Sequence, residues 1–172
     1  MRNILLLSLV AIFLFSCKSD KKEESIPTPE STVYYLIRHA EKDRRTPGQN
    51  PGLTDIGLKR AANWAKIFTK VKLDQIYSTD YKRTQQTALP TASEKNLDIQ
   101  SYNTENLYSE EFKIKTKDKT VLIVGHSNTT PALVNTILGK QKYNQIDDKD
   151  NGKLFIVTLN GYEISVAIED HN

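Results

Sequence analysis

The chain has 172 residues, 38% of them hydrophobic and 26% charged, with a formal charge of +3. That length suits one domain around a single core, and the interspersion of Lys and Arg with Asp and Glu argues against nucleic-acid binding. The single cysteine, Cys17, excludes an internal disulfide and a Cys-based metal site. The three histidines, His39, His126 and His171, leave few positions for imidazole chemistry.

Met1-Arg2-Asn3 is a short positive start, and Ile4 to Phe15 is a nearly unbroken apolar run. The run is shorter than the roughly 20 residues of a membrane-spanning helix and fits the apolar region of a signal peptide. It ends in Leu14-Phe15-Ser16-Cys17, which resembles a bacterial lipobox. The resemblance implies a signal peptide over 1–16, cleavage before Cys17 and lipidation of Cys17. Residues 17–31 then read as a flexible linker, charged from Lys18 to Glu24 and extended around Pro27 and Pro29. The expected location is the bacterial cell envelope. Lys18, rather than an aspartate, after the cysteine points to the outer membrane, with the domain facing periplasm or surface.

From Thr32 onward the pattern is that of a folded domain. Thr32 to Arg38 is rich in β-branched and aromatic residues and predicts a buried strand. Glu41 to Gly52 is a loop, and Thr54 is the expected N-cap of an amphipathic helix carrying Leu58, Ala61, Ala65 and Phe68 on one face. Gln75 to Tyr77 predicts a short strand, with Ser78 and Thr79 capping a helix from about Tyr81 to Leu89 that Pro90 disturbs or ends. A short strand near Leu97 to Ser101 and an irregular polar stretch to Lys119 follow. Val121 to Val124 reads as a central strand covered on both faces. Thr130-Pro131 opens another helix, and Lys153–Leu159 and Tyr162–Ile168 form a hairpin around Asn160-Gly161. The expected fold is a three-layer α/β/α domain over 32–172, its sheet mainly parallel with a C-terminal antiparallel β-hairpin at the edge.

Functional residues of open α/β sheets lie at the carboxyl ends of their strands. Here the first strand ends in Arg38-His39, the second leads through Ser78 to Arg83, and the central one ends in Gly125-His126. Two arginines and two histidines converging at one sheet edge suit a dianion, because guanidinium groups bind phosphate oxygens in a planar fork. A neutral imidazole nitrogen among them is a nucleophile. Taken singly, each residue reads as well as a salt bridge, a core histidine or a turn; the conjunction carries the signal. Arg44 and Arg45 would extend the positive field or serve as ordinary surface charge.

Leu36-Ile37-Arg38-His39-Ala40-Glu41, Leu53-Thr54-Asp55-Ile56-Gly57, the block Tyr77 to Ala88, and Val121 to Asn128 occur in that order. Together they resemble the motifs of the histidine phosphatase superfamily, the phosphoglycerate mutase-like proteins, and in particular its small phosphohistidine phosphatases. The resemblance implies a phosphatase in which His39 takes the phosphoryl group. Arg38, Arg83 and a protonated His126 would hold its oxygens, with no metal or other cofactor. A general acid would come from the region after Arg83: Glu105 is the choice among Glu94, Glu105, Glu110 and Glu111, with Glu41 a further candidate. The implied partners are a phosphorylated small molecule, an envelope phosphate or a phosphoprotein, and a membrane reached through the lipid anchor. The alternative is an envelope lipoprotein of the same fold that binds phosphate or another anion without turnover. No role is assigned to Asp147, Asp148 and Asp150.

Overall fold

A computed structural model describes residues 31–172. The expected signal peptide, Cys17 and all of the linker before Ser31 lie outside the described residues.

The β-branched run Thr32–Arg38 forms strand β1, and the continuous apolar run within Thr120–Gly125 forms β4. The two pair in parallel, with Arg38 opposite Gly125. Gln75–Ser78 (β2) lies on the far side of β4 and carries the short Ile99–Ser101 (β3), both parallel. Lys153–Asn160 (β5) and Glu163–Asp170 (β6) form the antiparallel hairpin and join the sheet through β1. The strand order is β3-β2-β4-β1-β5-β6. This is the expected mixed sheet, parallel at its centre with an antiparallel edge.

Alternating strand side chains feed two cores. Helices Asp55–Phe68 (α1) and Lys82–Lys95 (α2) cover one face, packing Trp64, Phe68, Ala88 and Ala92 with Ile37, Ile76, Leu122 and Val124. Glu110–Thr116 (α3) and Thr129–Leu138 (α4) cover the other, packing Phe112, Leu133, Val134 and Ile137 with Tyr34, Leu36, Val121 and Ile123. Each large apolar side chain buried this way stabilises the fold by about 1.5–3 kcal/mol. Thr54 is the N-cap of α1, its hydroxyl accepting from the Gly57 N–H at 3.0 Å, an interaction of about 1 kcal/mol. Gly57 has no room for a side chain, since a Cβ there would lie 2.4 Å from the Glu41 carbonyl oxygen.

Three local expectations are corrected. Helix α2 does not stop at Leu89 but runs through Pro90 to Lys95. The proline withholds one N–H, yet the buried stripe Thr87, Ala88, Thr91 and Ala92 continues on both sides of it, and the helix ends at Asn96 in the left-handed conformation. Its N-cap position is Tyr81, without a side-chain bond, so Ser78 and Thr79 do not cap it. The stretch before Lys119 is not wholly irregular: Ser109 caps α3 by accepting from the Phe112 N–H at 3.1 Å. Ion pairs Glu110–Lys113 and Glu111–Lys115 support that helix along its length.

Candidate functional site

The parallel register of β1 with β4 carries the chain beyond Arg38 alongside the chain beyond Gly125, and the His39 N–H donates to the Gly125 carbonyl at 2.9 Å. The two imidazole rings consequently lie 5.4 Å apart, edge to face. Strand β2 ends beside them and delivers Thr79, then Arg83 from the first turn of α2. Gly125 is required by close approach: a Cβ there would meet the Tyr102 hydroxyl at 2.7 Å and the Thr129 and Thr130 hydroxyls at 2.9 Å.

His39 is buried. Its Nδ1 lies 2.7 Å from the Ala40 carbonyl oxygen, which can only accept, so Nδ1 carries the proton and Nε2 keeps its lone pair. The peptide around it is pinned by the Asn151 amide on the His39 carbonyl (2.8 Å) and by the Thr87 hydroxyl on the Ala40 N–H (2.9 Å). Burial, opposed by the Ala40 hydrogen bond and reinforced by Arg38, His126 and Arg83, pushes the His39 pKa down to about 3. The ring is neutral at pH 7, as a nucleophile must be; burial leads and the neighbouring cations follow.

His126 is fixed by both nitrogens. Arg83 Nη2 is a permanent donor 3.4 Å from Nδ1, so Nδ1 accepts and Nε2–H donates to the Thr79 hydroxyl at 2.9 Å. The Thr79 hydroxyl in turn lies 2.9 Å from that of Thr84, which donates to the Thr79 and Tyr81 carbonyls. Burial first, then Arg83, Arg38 and Lys42, lower the His126 pKa to about 4. His126 is therefore neutral in this structure, and the protonated donor that the resemblance implies is the form a bound phosphate would favour.

Arg38 is a fully buried cation, 2% exposed. Its Nη1 donates to the Asp147 and Asp150 carbonyls (2.8 and 3.1 Å) and its Nη2 to Asp148 Oδ1 (2.5 Å). Arg83 lies over the Tyr81 ring, 4.4 Å from its centroid, and burial lowers its pKa. Three buried guanidinium nitrogens, Arg38 Nε and Arg83 Nε and Nη1, have no partner among the described residues. Arg38, His39, Arg83 and His126 all line a cavity of about 650 Å³.

The carboxylates fall differently from expectation. Glu105 is exposed and does not line the cavity; its neighbours Asn103 and Thr104 do, and its N–H caps onto Asn103 Oδ1 at 2.8 Å. Glu94, Glu110 and Glu111 are also outside the lining, and Glu41 is paired with Arg60 at 2.8 Å. The two carboxylates that do line it are Asp80 and Asp148. Asp80 lies two residues beyond the end of β2 and accepts from the Ser101 hydroxyl at 2.9 Å. Asp148 bridges Arg38 and Arg44, and those bonds hold its carboxyl below the usual carboxylate range. Arg44 and Arg45 are spent on Asp148 and Asp43 and do not extend a free positive field. His171 pairs with Glu169 and is not in the cavity lining. Among the described residues no group of three His, Cys, Asp or Glu side chains is arranged to hold a metal ion.

Residues 34–107 match the histidine phosphatase superfamily (branch 1). Phosphoserine phosphatase 1 of Hydrogenobacter thermophilus is 39% identical over 69 residues, 37% of this chain and 33% of that protein. The chain thus matches about a third of the length of that curated relative. Among solved structures, YhfR of Bacillus stearothermophilus aligns with a TM-score of 0.65 at 19% identity, covering 82% of this chain and 98% of that one. SixA of Agrobacterium tumefaciens aligns at 0.61 and 22% identity, covering 81% and 99%. A mycobacterial glucosyl-3-phosphoglycerate phosphatase aligns at 0.62 and 13% identity, covering 83% and 99%. These three likenesses are of fold. Residues 34–107, which carry Arg38, His39 and Arg83, are thus the part of the chain that is similar to the histidine phosphatase superfamily.

Proposed function

We propose that this chain is a metal-independent phosphatase that hydrolyses phosphate monoesters, or a phosphoprotein, through a phosphohistidine on His39. The observation that carries the reading is the pairing of a nucleophile with unmet donors. His39 Nε2 holds a free lone pair, while Arg38 Nε and Arg83 Nε and Nη1 are buried at the same cavity without acceptors among the described residues. Unpaired guanidinium donors are costly inside a protein, and phosphoryl oxygens are their geometric complement. The proteins it resembles, a phosphoserine phosphatase in sequence and a glucosyl-3-phosphoglycerate phosphatase in fold, are named for phosphate esters.

In the first step His39 Nε2 forms a bond to phosphorus as the bond to the ester oxygen breaks. Arg38 and Arg83 hold the phosphoryl oxygens, and their fixed positions supply most of the stabilisation. An arriving dianion favours the charged form of His126, which then donates through Nδ1. The acid role passes from Glu105 to Asp80, whose second oxygen has no partner among the described residues. Asp80 gives its proton to the leaving oxygen, and as a carboxylate it then takes one from the water that attacks phosphorus. The phosphorus–nitrogen bond breaks, releasing inorganic phosphate and neutral His39.

The expected lipidation of Cys17 would hold this domain at an envelope membrane, beside small phosphorylated molecules, envelope phosphates or phosphoproteins. A Cys17→Ser chain that no longer partitions with membranes supports that anchor; unchanged partitioning removes it.

The deciding experiment is hydrolysis of 4-nitrophenyl phosphate by the full-length chain in mild detergent with excess chelator, beside His39→Ala. Chelator-resistant turnover, reduced about a thousandfold or more in the variant, supports the reading. Turnover that survives the substitution overturns it, and phosphate binding with no turnover by either protein favours the non-catalytic lipoprotein.

A further inference from the structure

Two cations of the cavity, Arg83 and Lys42, form no ion pair with a carboxylate among the described residues. The phosphoryl group accounts for Arg83. Lys42 is left over, and it is not a loose surface side chain. Its backbone forms an antiparallel bridge with Leu53, the Asp43 N–H donates to the Gly52 carbonyl at 2.8 Å, and the Thr54 N–H donates to the Glu41 carbonyl at 2.8 Å. The side chain therefore springs from the closed base of the loop between residues 42 and 53.

Of the acids beside Lys42 in the chain or in the cavity lining, all but Asp80, which accepts from the Ser101 hydroxyl, are committed to another cation. Glu41 pairs with Arg60, Asp43 with Arg45, and Asp148 with both Arg38 and Arg44. Partial burial and then Arg44 lower the Lys42 pKa, with Asp148 opposing and Arg83 and Arg38 adding to the effect. A partly buried lysine whose charge is opposed by three guanidinium groups lacks a counter-charge until an anion joins it. The phosphoryl oxygens already have Arg38, Arg83 and His126, and a cavity of about 650 Å³ leaves room beyond them for the organic portion of an ester.

We infer that Lys42 is a subsite for a second negatively charged group of the substrate, so that this chain takes phosphate monoesters whose organic portion carries a carboxylate or a further phosphate. The inference rests on the phosphatase reading above and narrows it.

The test is calorimetric binding of phosphonates, which have no ester bond to break and report affinity whether or not the chain turns over. The full-length chain should bind 3-phosphonopropionate at least about tenfold more tightly than propylphosphonate, the size of one charge-assisted contact. Lys42→Met should weaken 3-phosphonopropionate by about tenfold and propylphosphonate by less than about threefold, and Lys42→Arg should keep the preference. Propane-1,3-diphosphonate, titrated alongside, identifies carboxylate or phosphate as the second group by which ligand binds more tightly. Equal affinity of the wild-type chain for the charged-tail and neutral-tail ligands overturns the inference. So does equal weakening of both in Lys42→Met, which would assign Lys42 to the phosphoryl group itself. Failure to hydrolyse an aryl phosphate would overturn the phosphatase reading and leave this measurement intact.

Discussion

The imidazole of His126 is held at both nitrogens, by Thr79 at 2.9 Å and Arg83 at 3.4 Å, with its ring 5.4 Å from that of His39. Neither histidine has a carboxylate partner among those bonds. Both are kept neutral, mainly by burial, in a region that also holds two guanidinium groups. The protein has placed cations at the cavity and denied these rings their own charge.

That arrangement sets the direction of the pH dependence of stability. The histidine pKa values fall from an ordinary 6.5 to about 3 for His39 and about 4 for His126. Between those values and 6.5 the unfolded chain binds more protons than the folded one, so stability rises with pH. The contribution is complete above pH 6.5 and is lost as pH falls through the window, on the order of 1 kcal/mol per pH unit for each ring. Urea midpoints at pH 4.5, 5.5 and 7.5 should climb in that order. Replacing His39 by Asn should flatten the slope; a slope unchanged by the substitution would place the titrating group elsewhere.

The assignment of Asp80 predicts a dependence on the leaving group. Asp80→Asn should lower kcat about a hundredfold for alkyl phosphates and less than about fivefold for 4-nitrophenyl phosphate, whose phenolate leaves without a proton. The acidic limb of the pH–rate profile should hold in Glu105→Gln. Steady-state kinetics on the two ester types decides the matter, and an equal loss on both would remove Asp80 from proton transfer.

Gly125 is a packing requirement at the centre of the site. Gly125→Ala would drive a Cβ to 2.7 Å from the Tyr102 hydroxyl and 2.9 Å from two threonine hydroxyls, a clash costing about 1–3 kcal/mol. It should also displace His126, which follows directly, and lower activity more than stability alone explains. Thermal unfolding beside kinetics separates the two effects, and a variant with native activity would show that the neighbouring hydroxyls yield.

What the sequence disclosed, and what it concealed, follows from the range of the interactions. The runs Thr32–Arg38 and Val121–Val124 announce their strands, and Arg38, His39 and His126 mark the strand ends, because period and composition are local properties. Helix α3 was missed, although Ser109-Glu110-Glu111 ahead of Phe112 offers an N-cap with acids in the first turn. Pro90 misleads because its local cost is offset by packing of Ala88 and Ala92 on the sheet, which no local rule contains. Asp148 lies 110 positions from Arg38, and no spacing rule reports such a pair. That Glu105 lies outside the cavity lining and Asp80 within it was hidden for a related reason. The segment after Ser101 has no period to say which side chain turns inward, whereas Asp80 sits two residues after the end of β2.

The pairing of β1 with β4 has a consequence for how the molecule comes into being. These neighbours in the sheet are separated in the chain by α1, β2, α2, β3 and α3. Contacts of such separation form late, after the entropy of closing a long loop has been met. His39 and His126 therefore meet only when the central strand slots between β1 and β2. A chain emerging from the ribosome carries His39 through most of its synthesis with no chemistry attached, and competence arrives in one step with the closing of the sheet.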